Sequence, residues 1–241
     1  GKTASFAIPV IQHLQANKET DKRQGIKALI LTPTRELAMQ ISECIDDYSK
    51  YTRVRHGVIF GGVNQRPQVD MLRKGIDILV ATPGRLLDLI NQGHIHLTNI
   101  EYFVLDEADR MLDMGFYDDI MQIVSYMPKS RQTLMFSATL PPKIRQMAKQ
   151  ILNDPAEVNI AISKPNEAIE QGAYICYEGQ KLGIVREMFS WPSESKTIIF
   201  SSSKQKVKEL AHTLKRMKLD VAPMHSDLDQ EKREQVMLDF K

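Results

Sequence analysis

The sequence predicts an α/β fold built on parallel sheet, and three observations predict it. Short apolar runs alternate with longer amphipathic ones along the chain. The chain opens GKTASFAIP, which reads as the second half of a phosphate-binding loop running into its helix. Two strand-like runs, LILTPTRELAMQI and ILVATPGRLLDLI, pass through Thr-Pro-x-Arg into a helical pattern. Strand–helix alternation implies parallel strands with helices on both sides.

Bulk properties narrow the function classes. The 241 residues can hold one large or two small domains with real cores. A net charge of +2 gives no global basic field, so any nucleic-acid binding must come from local sites. Cys44 and Cys176 lie far apart without CxxC spacing. That argues against a disulfide framework or a zinc site and fits a reducing, cytoplasmic setting. No apolar run approaches the length of a membrane span.

The elements follow in order. After the Gly1-Lys2-Thr3 helix start, the polar run 17–25 reads as a surface loop. Residues 26–32, 56–62, 76–81, 101–106 and 132–138 read as buried strands, short, apolar and bounded by polar residues or Gly. In the helical pattern 36–51, Leu37, Ile41, Cys44, Ile45 and Tyr48 fall on one face. Residues 153–170 carry two prolines and little helical period, as a linker does. The alternation then resumes, with strands expected at 172–177, 196–202 and 219–225 and helices at 181–189, 204–217 and from Gln230. We expect a first domain over 1–160, a linker over 161–170 and a second domain over 171–241. Two or three strands do not close an independent core, so the second domain is expected to be incomplete. With half a phosphate loop at its start, the chain reads as cut at both ends.

Chemistry gathers where strands end. In Thr32-Pro33-Thr34-Arg35 and Thr82-Pro83-Gly84-Arg85, Thr suits a helix N-cap and Pro the first helical position. Each product is a helix N-terminus with an Arg beside it, an anion site. One copy alone reads as a cap; two at strand C-termini along one sheet edge suggest a polyphosphate backbone. YFVLDEADRML ends an apolar strand in Asp106 and Glu107. With Lys2 for nucleotide phosphates and Thr3 for the same ion, Asp106 is the candidate Mg²⁺ ligand. Glu107 is the candidate to orient or deprotonate an attacking water. Ser137 and Thr139, after a further strand, can hydrogen-bond carboxylates on the adjacent strand. His56, His94 and His96 form no ligand set and read as loop residues, while Trp191 and the Met residues of 111–127 read as packing.

Taken together, Gly1-Lys2-Thr3, Pro33-Thr34-Arg35-Glu36-Leu37, Gly61-Gly62, Thr82-Pro83-Gly84-Arg85, Asp106-Glu107-Ala108-Asp109 and Ser137-Ala138-Thr139 resemble, in order and spacing, the DEAD-box RNA helicases. The resemblance continues at Ile198-Ile199-Phe200-Ser201-Ser202 and His225-Ser226-Asp227-Leu228, then Gln230-x-x-Arg233. The text around DEADRMLDMGF is most similar to bacterial members of the RhlE branch.

The resemblance implies two RecA-like parallel-sheet domains of P-loop NTPase type, the second incomplete, with ATP and Mg²⁺ as ligands and RNA as partner. It implies ATP binding by Gly1, Lys2, Thr3, Asp106 and Glu107, with Lys2, Asp106 and Glu107 catalytic and Thr3 and Asp106 on the metal. Asp109, Ser137, Ala138 and Thr139 would couple hydrolysis to strand separation. Pro33, Thr34, Arg35, Gly61, Gly62, Thr82, Pro83, Gly84 and Arg85 would contact RNA, with Phe200, Ser201, Gln230 and Arg233 as the second domain's share. The expected function is an ATP-dependent RNA helicase acting as a monomer on short duplexes. Three rivals are an RNA-dependent ATPase clamp without unwinding, a non-catalytic scaffold and a DNA translocase. The family's adenine-recognition segment, the first half of its phosphate loop and its later Arg residues are missing here, so residues 1–241 alone are expected to hydrolyse ATP poorly. Ser226 stands where the family pattern has Gly.

Overall fold

The computed structural model describes residues 1–17, 25–159, 168–190 and 195–240. Most of the polar run 17–25, the heart of the expected linker and Trp191 lie outside them. The chain divides into two compact units, Gly1–Asn159 and Ile160–Lys241.

In the first unit, β1 (Ala28–Leu31), β2 (His56–Ile59), β3 (Ile78–Ala81), β4 (Tyr102–Leu105) and β5 (Gln132–Met135) form one sheet in the order β2-β3-β1-β4-β5. Every pairing is parallel. The strands were legible because a parallel sheet covered on both faces needs continuous apolar runs, and ALIL and ILVA are buried at every position. Side chains leave the two faces alternately. Ala28, Ile30, Ile78, Val80 and Val104 pack with α1 (Lys2–Asn17) and α2 (Arg35–Ser49). Leu29, Leu31, Leu79, Phe103 and Leu105 face the opposite layer. That layer comprises α3 (Arg66–Arg73), α4 (Pro83–Asn91), α5 (Ala108–Asp113), α6 (Tyr117–Ser125) and α7 (Pro142–Ile151). Each fully buried Leu, Ile or Phe contributes roughly 1.5–3 kcal/mol of transfer free energy.

Two details depart from the sequence reading. The buried stripe of α2 keeps Ile41 and Ile45 of the expected face but is completed by Ala38 and Ser49 instead of Leu37, Cys44 and Tyr48. Tyr48 is exposed at the margin, because small Ala38 and Ser49 let the helix approach the sheet more closely than an aromatic ring allows. His56 is not a loop residue. It opens β2, with Nε2 2.8 Å from Asp46 Oδ1 and Nδ1 3.3 Å from Ser42 Oγ.

The register sets up the site. Leu31 is level with Ala81 and Leu105, Ala81 with Ile59, and Leu105 with Met135. The next residue of each strand therefore forms one row at the carboxyl edge, Phe60, Thr82, Thr32, Asp106 and Phe136. Four more ladder bonds tie that row: Thr82 N–H to Ile59 C=O (3.2 Å), Thr32 to Ala81 (3.1 Å), Asp106 to Leu31 (2.9 Å) and Phe136 to Leu105 (2.8 Å).

In the second unit, α8 (Lys181–Met188) follows a short 3-10 turn at Glu178–Gln180 and is succeeded by α9 (Lys204–Arg216) and α10 (Gln230–Phe240). The three expected strands do not form among the described residues, where 172–177, 196–202 and 219–225 are irregular. Tyr174, Ile175, Ile198 and Phe200 are exposed there. A strand needs a ladder partner, and a few short segments without a covered apolar face do not supply one another with one. The Lys-rich face of α9 is ion-paired: Lys204 and Lys208 hold the two carboxylate oxygens of Asp227 at 2.9 and 2.8 Å. The hydrogen bonds from Lys208 and Lys204 hold that carboxyl at about 2. No helix among the described residues is long and apolar enough to cross a membrane.

Candidate active site at the carboxyl edge of the sheet

A parallel sheet delivers all its strand C-termini to one edge, so the motifs converge although they are scattered in sequence. The row divides in two. The loops after β2, β3 and β1 lie side by side, and those after β4 and β5 continue the row.

Asp106 anchors the second group. It is 0% exposed, and neither carboxylate oxygen has a partner with hydrogen-bond geometry. Its close neighbour is the Lys2 ammonium, 2.7 Å from Oδ1, an ion-pair distance with an angle too poor for a hydrogen bond. Leaving a buried carboxylate so poorly satisfied is costly. Its remaining lone pairs are what a hard cation takes up, and a single protein carboxylate is a usual donor set for Mg²⁺ that keeps its waters and phosphate oxygens. Thr3, half-buried in the first turn of α1, supplies a hydroxyl on the helix that carries Lys2. Asp106 thus fits the ion, while no group of three His, Cys, Asp or Glu converges elsewhere among the described residues.

Glu107 has left-handed backbone, φ 55° and ψ 52°, which costs a non-Gly residue of the order of 1–2 kcal/mol. The Ala108 N–H bonded to Phe136 C=O at 3.0 Å holds it there. This turn breaks the strand's two-residue alternation, so the carboxylates of Asp106 and Glu107 belong to different surroundings, one buried and one half-buried.

In the first turn of α5, Asp109 Oδ2 accepts from Thr139 N–H at 2.9 Å and from Thr139 Oγ1 at 2.8 Å. Burial works to raise the Asp109 carboxyl. Hydrogen bonds from the Thr139 hydroxyl, the Arg110 and Thr139 N–H groups and Ser137 outweigh it, and the carboxyl lies below its ordinary value. Of the two hydroxyls after β5, Thr139 makes the close bond to a carboxylate. Ser137 Oγ donates to the Thr139 carbonyl at 2.7 Å and so shapes the turn around Ala138.

The two Thr-Pro-x-Arg copies differ where the sequence suggested a match. In the first, Thr34 is the N-cap, accepting from Leu37 N–H at 3.3 Å, and Pro33 lies outside the helix. Thr32 is buried, its hydroxyl unpartnered. In the second, Thr82 is the N-cap, Pro83 opens α4, and no side chain caps the helix. The α4 terminus is therefore the more open anion site, and space beside Gly84 is empty. The Arg residues are turned inward. Arg85, 11% exposed at its side chain, donates from Nη2 to Val63 C=O at 3.1 Å. The Arg35 guanidinium fills the space beside Gly62, where φ is +76°. Gly62 is obligatory there on both counts, whereas Gly61 has open space. The Arg85 guanidinium is only partly engaged: Nη2 bonds the glycine loop, while Nη1 is buried with no hydrogen-bond partner.

Phe200 and Ser201 precede α9 and are exposed, and Gln230 and Arg233 lie half-buried on α10. Gln230 Nε2 donates to Glu234 Oε1 at 2.9 Å. These four belong to the second unit. Residues 63–75 carry no motif, yet Gln68 of α3, buried at 8% exposure, bonds the backbone of Phe60 beside the glycine loop. An isolated Gln on the helix after a Gly-Gly turn is the faint signal that marked it.

The chain is 38% identical over its whole length to the DEAD-box ATP-dependent RNA helicase RhpA of Helicobacter pylori, covering 48% of that protein. It is likewise 38% identical to the ATP-dependent RNA helicase DBP2 of Mycosarcoma maydis, covering 44% of it. Identity thus does not separate bacterial from eukaryotic relatives. The chain spans about half the length of these relatives. A crystal structure of a DEAD box protein from the hyperthermophile Methanococcus jannaschii matches with a TM-score of 0.60 and 37% identity, over all of this chain and 63% of that one. The model for the helicase conserved C-terminal domain matches residues 180–241. The DEAD/DEAH box helicase model matches residues 1–147, and the chain belongs to that family.

Proposed function

We propose that this chain is the core of an ATP-dependent RNA helicase, one that binds RNA backbone, hydrolyses ATP and separates short duplexes. The observation that carries the reading is Asp106, a buried carboxylate with unsatisfied oxygens facing Lys2, in the same edge row as three polar loops. Lys2 would bind nucleotide phosphates, with Thr3 and Asp106 holding Mg²⁺. When bound, that ion would neutralise charge on the phosphates. Glu107, half-buried and off the strand axis, would take the proton of the attacking water. Asp109 and Thr139 tie α5 to the turn after β5, so a shift at the nucleotide edge would carry into residues 137–139.

The loops of β2, β3 and β1 would take the RNA backbone at Pro33, Thr34, Gly61, Gly62, Thr82, Pro83 and Gly84, where the Thr hydroxyls, the glycine N–H groups and the open space beside Gly61 and Gly84 are what a backbone ligand would use. Such groups read phosphate and sugar, not bases. Arg35 and Arg85, which border the glycine loop, would add their guanidinium groups to the RNA contacts, and Phe200, Ser201, Gln230 and Arg233 would add the second unit's contacts. The free Cys44 and Cys176 support a cytoplasmic setting.

A strand-displacement assay on the full-length protein tests the reading. We expect ATP-dependent release of a short RNA strand, with RNA but not DNA stimulating hydrolysis. Hydrolysis without displacement would make it a clamp. RNA binding without hydrolysis would make it a scaffold, and equal stimulation by DNA would make it a DNA translocase.

A further inference from the structure

We propose that Gln68 is the positioning residue of the glycine loop, holding Phe60 so that Gly61 and Gly62 present a fixed backbone surface to RNA; this rests on the RNA reading above. The loop runs from the end of β2 to the start of α3. The Ile59 carbonyl faces β3, where it accepts from Thr82 N–H. Backbone groups of successive strand residues face opposite sides, so Phe60 turns its N–H and C=O to the open edge of β2, where no strand follows in the sheet. Gln68 stands in for that strand. Its Oε1 accepts from Phe60 N–H at 3.2 Å, and its Nε2 donates to Phe60 C=O at 3.1 Å. The reciprocal pair extends β2 by one residue without a neighbour.

The residue is nine-tenths buried, and an apolar side chain would fill that volume without needing partners. The amide is therefore spent on two backbone groups adjoining the Gly pair. The remainder of the loop is fastened in the same way. The Arg35 guanidinium packs against Gly62, and Arg85 holds the Val63 carbonyl. Gln65 exchanges amide bonds with Gln92 at 3.0 and 3.3 Å. A loop held at Phe60, Gly62, Val63 and Gln65 has little conformational entropy left to lose when a backbone ligand lands on it.

The test uses the full-length protein with Gln68→Leu, which keeps volume and removes both bonds, and Gln68→Glu, which keeps only the acceptor. Three quantities are read: amide hydrogen exchange at 60–63, KM for RNA in stimulated hydrolysis, and KM for ATP. We expect Gln68→Leu to speed exchange at Phe60 and to raise KM for RNA, each by roughly tenfold. KM for ATP, RNA-free hydrolysis and kcat at saturating RNA should stay unchanged, and Gln68→Glu should fall between. Unchanged exchange, or faster exchange with KM for RNA unmoved, overturns the proposal. Parallel loss of ATP and RNA parameters with a lowered Tm overturns it in favour of a purely structural role. If the parent protein itself shows no RNA stimulation, the RNA reading fails, and the exchange arm still decides whether Gln68 holds the loop.

Discussion

Two adjacent residues, Asp106 and Glu107, occupy opposite physical situations. Asp106 is buried, poorly satisfied and opposed by one ammonium; Glu107 is half-buried and held in a left-handed turn. The sequence names the pair and its neighbours, but not the backbone state that separates them, since nothing in a Glu signals positive φ. Because Gly adopts that conformation without penalty, we expect Glu107→Gly to leave stability unchanged or raise it by up to about 1 kcal/mol, as urea denaturation would read. A loss above that range would mean the turn is not strained. At Asp109 the folded-state pKa is depressed, so its stabilising contribution is present above the unfolded value and is lost as pH falls through the folded one. NMR titration should find the Asp109 carboxyl more than half ionised at its ordinary value of 3.8. In Thr139→Val, which removes the hydroxyl donor, the midpoint should move upward. Gln68 shows the limit of reading residues from sequence. Its role depends on which edge of β2 is open, a fact of topology.

The strands of the first unit were legible because each is a short, mainly apolar run between polar stops, and the central ALIL and ILVA are buried throughout as a covered parallel sheet requires. Helix starts were less so. Two copies of Thr-Pro-x-Arg begin their helices two residues apart, at Arg35 and at Pro83, because Thr34 has a hydroxyl to cap with and Gly84 has no side chain. The consequence is measurable. Thr34→Ala should destabilise the first unit by about 1 kcal/mol through loss of its cap bond. Thr82→Ala, which loses no cap bond, should cost less. Equal losses would contradict the assigned caps. The strands expected in the second unit fail for a reason no local pattern carries: KTIIFSS has the composition of a strand, but a strand exists only with a partner beside it.

Over the whole molecule, one property makes the function readable. In an all-parallel sheet every strand ends at the same edge, so motifs far apart in sequence become neighbours once strand order is known. Order itself was not in the sequence, and it is order that sets the loops of β2, β3 and β1 together and puts Asp106 next in the row. If that edge holds RNA by its backbone, affinity should fall linearly with the logarithm of salt concentration and hardly depend on base sequence, in a fluorescence-anisotropy titration. The most direct test of the site is ATP hydrolysis by the full-length protein, with and without RNA, beside Glu107→Gln. We expect RNA to stimulate turnover and the substitution to reduce it by roughly 100-fold or more while ATP still binds. Turnover by Glu107→Gln equal to that of the parent, or no turnover by either while RNA binds, would contradict an ATPase built on Asp106 and Glu107.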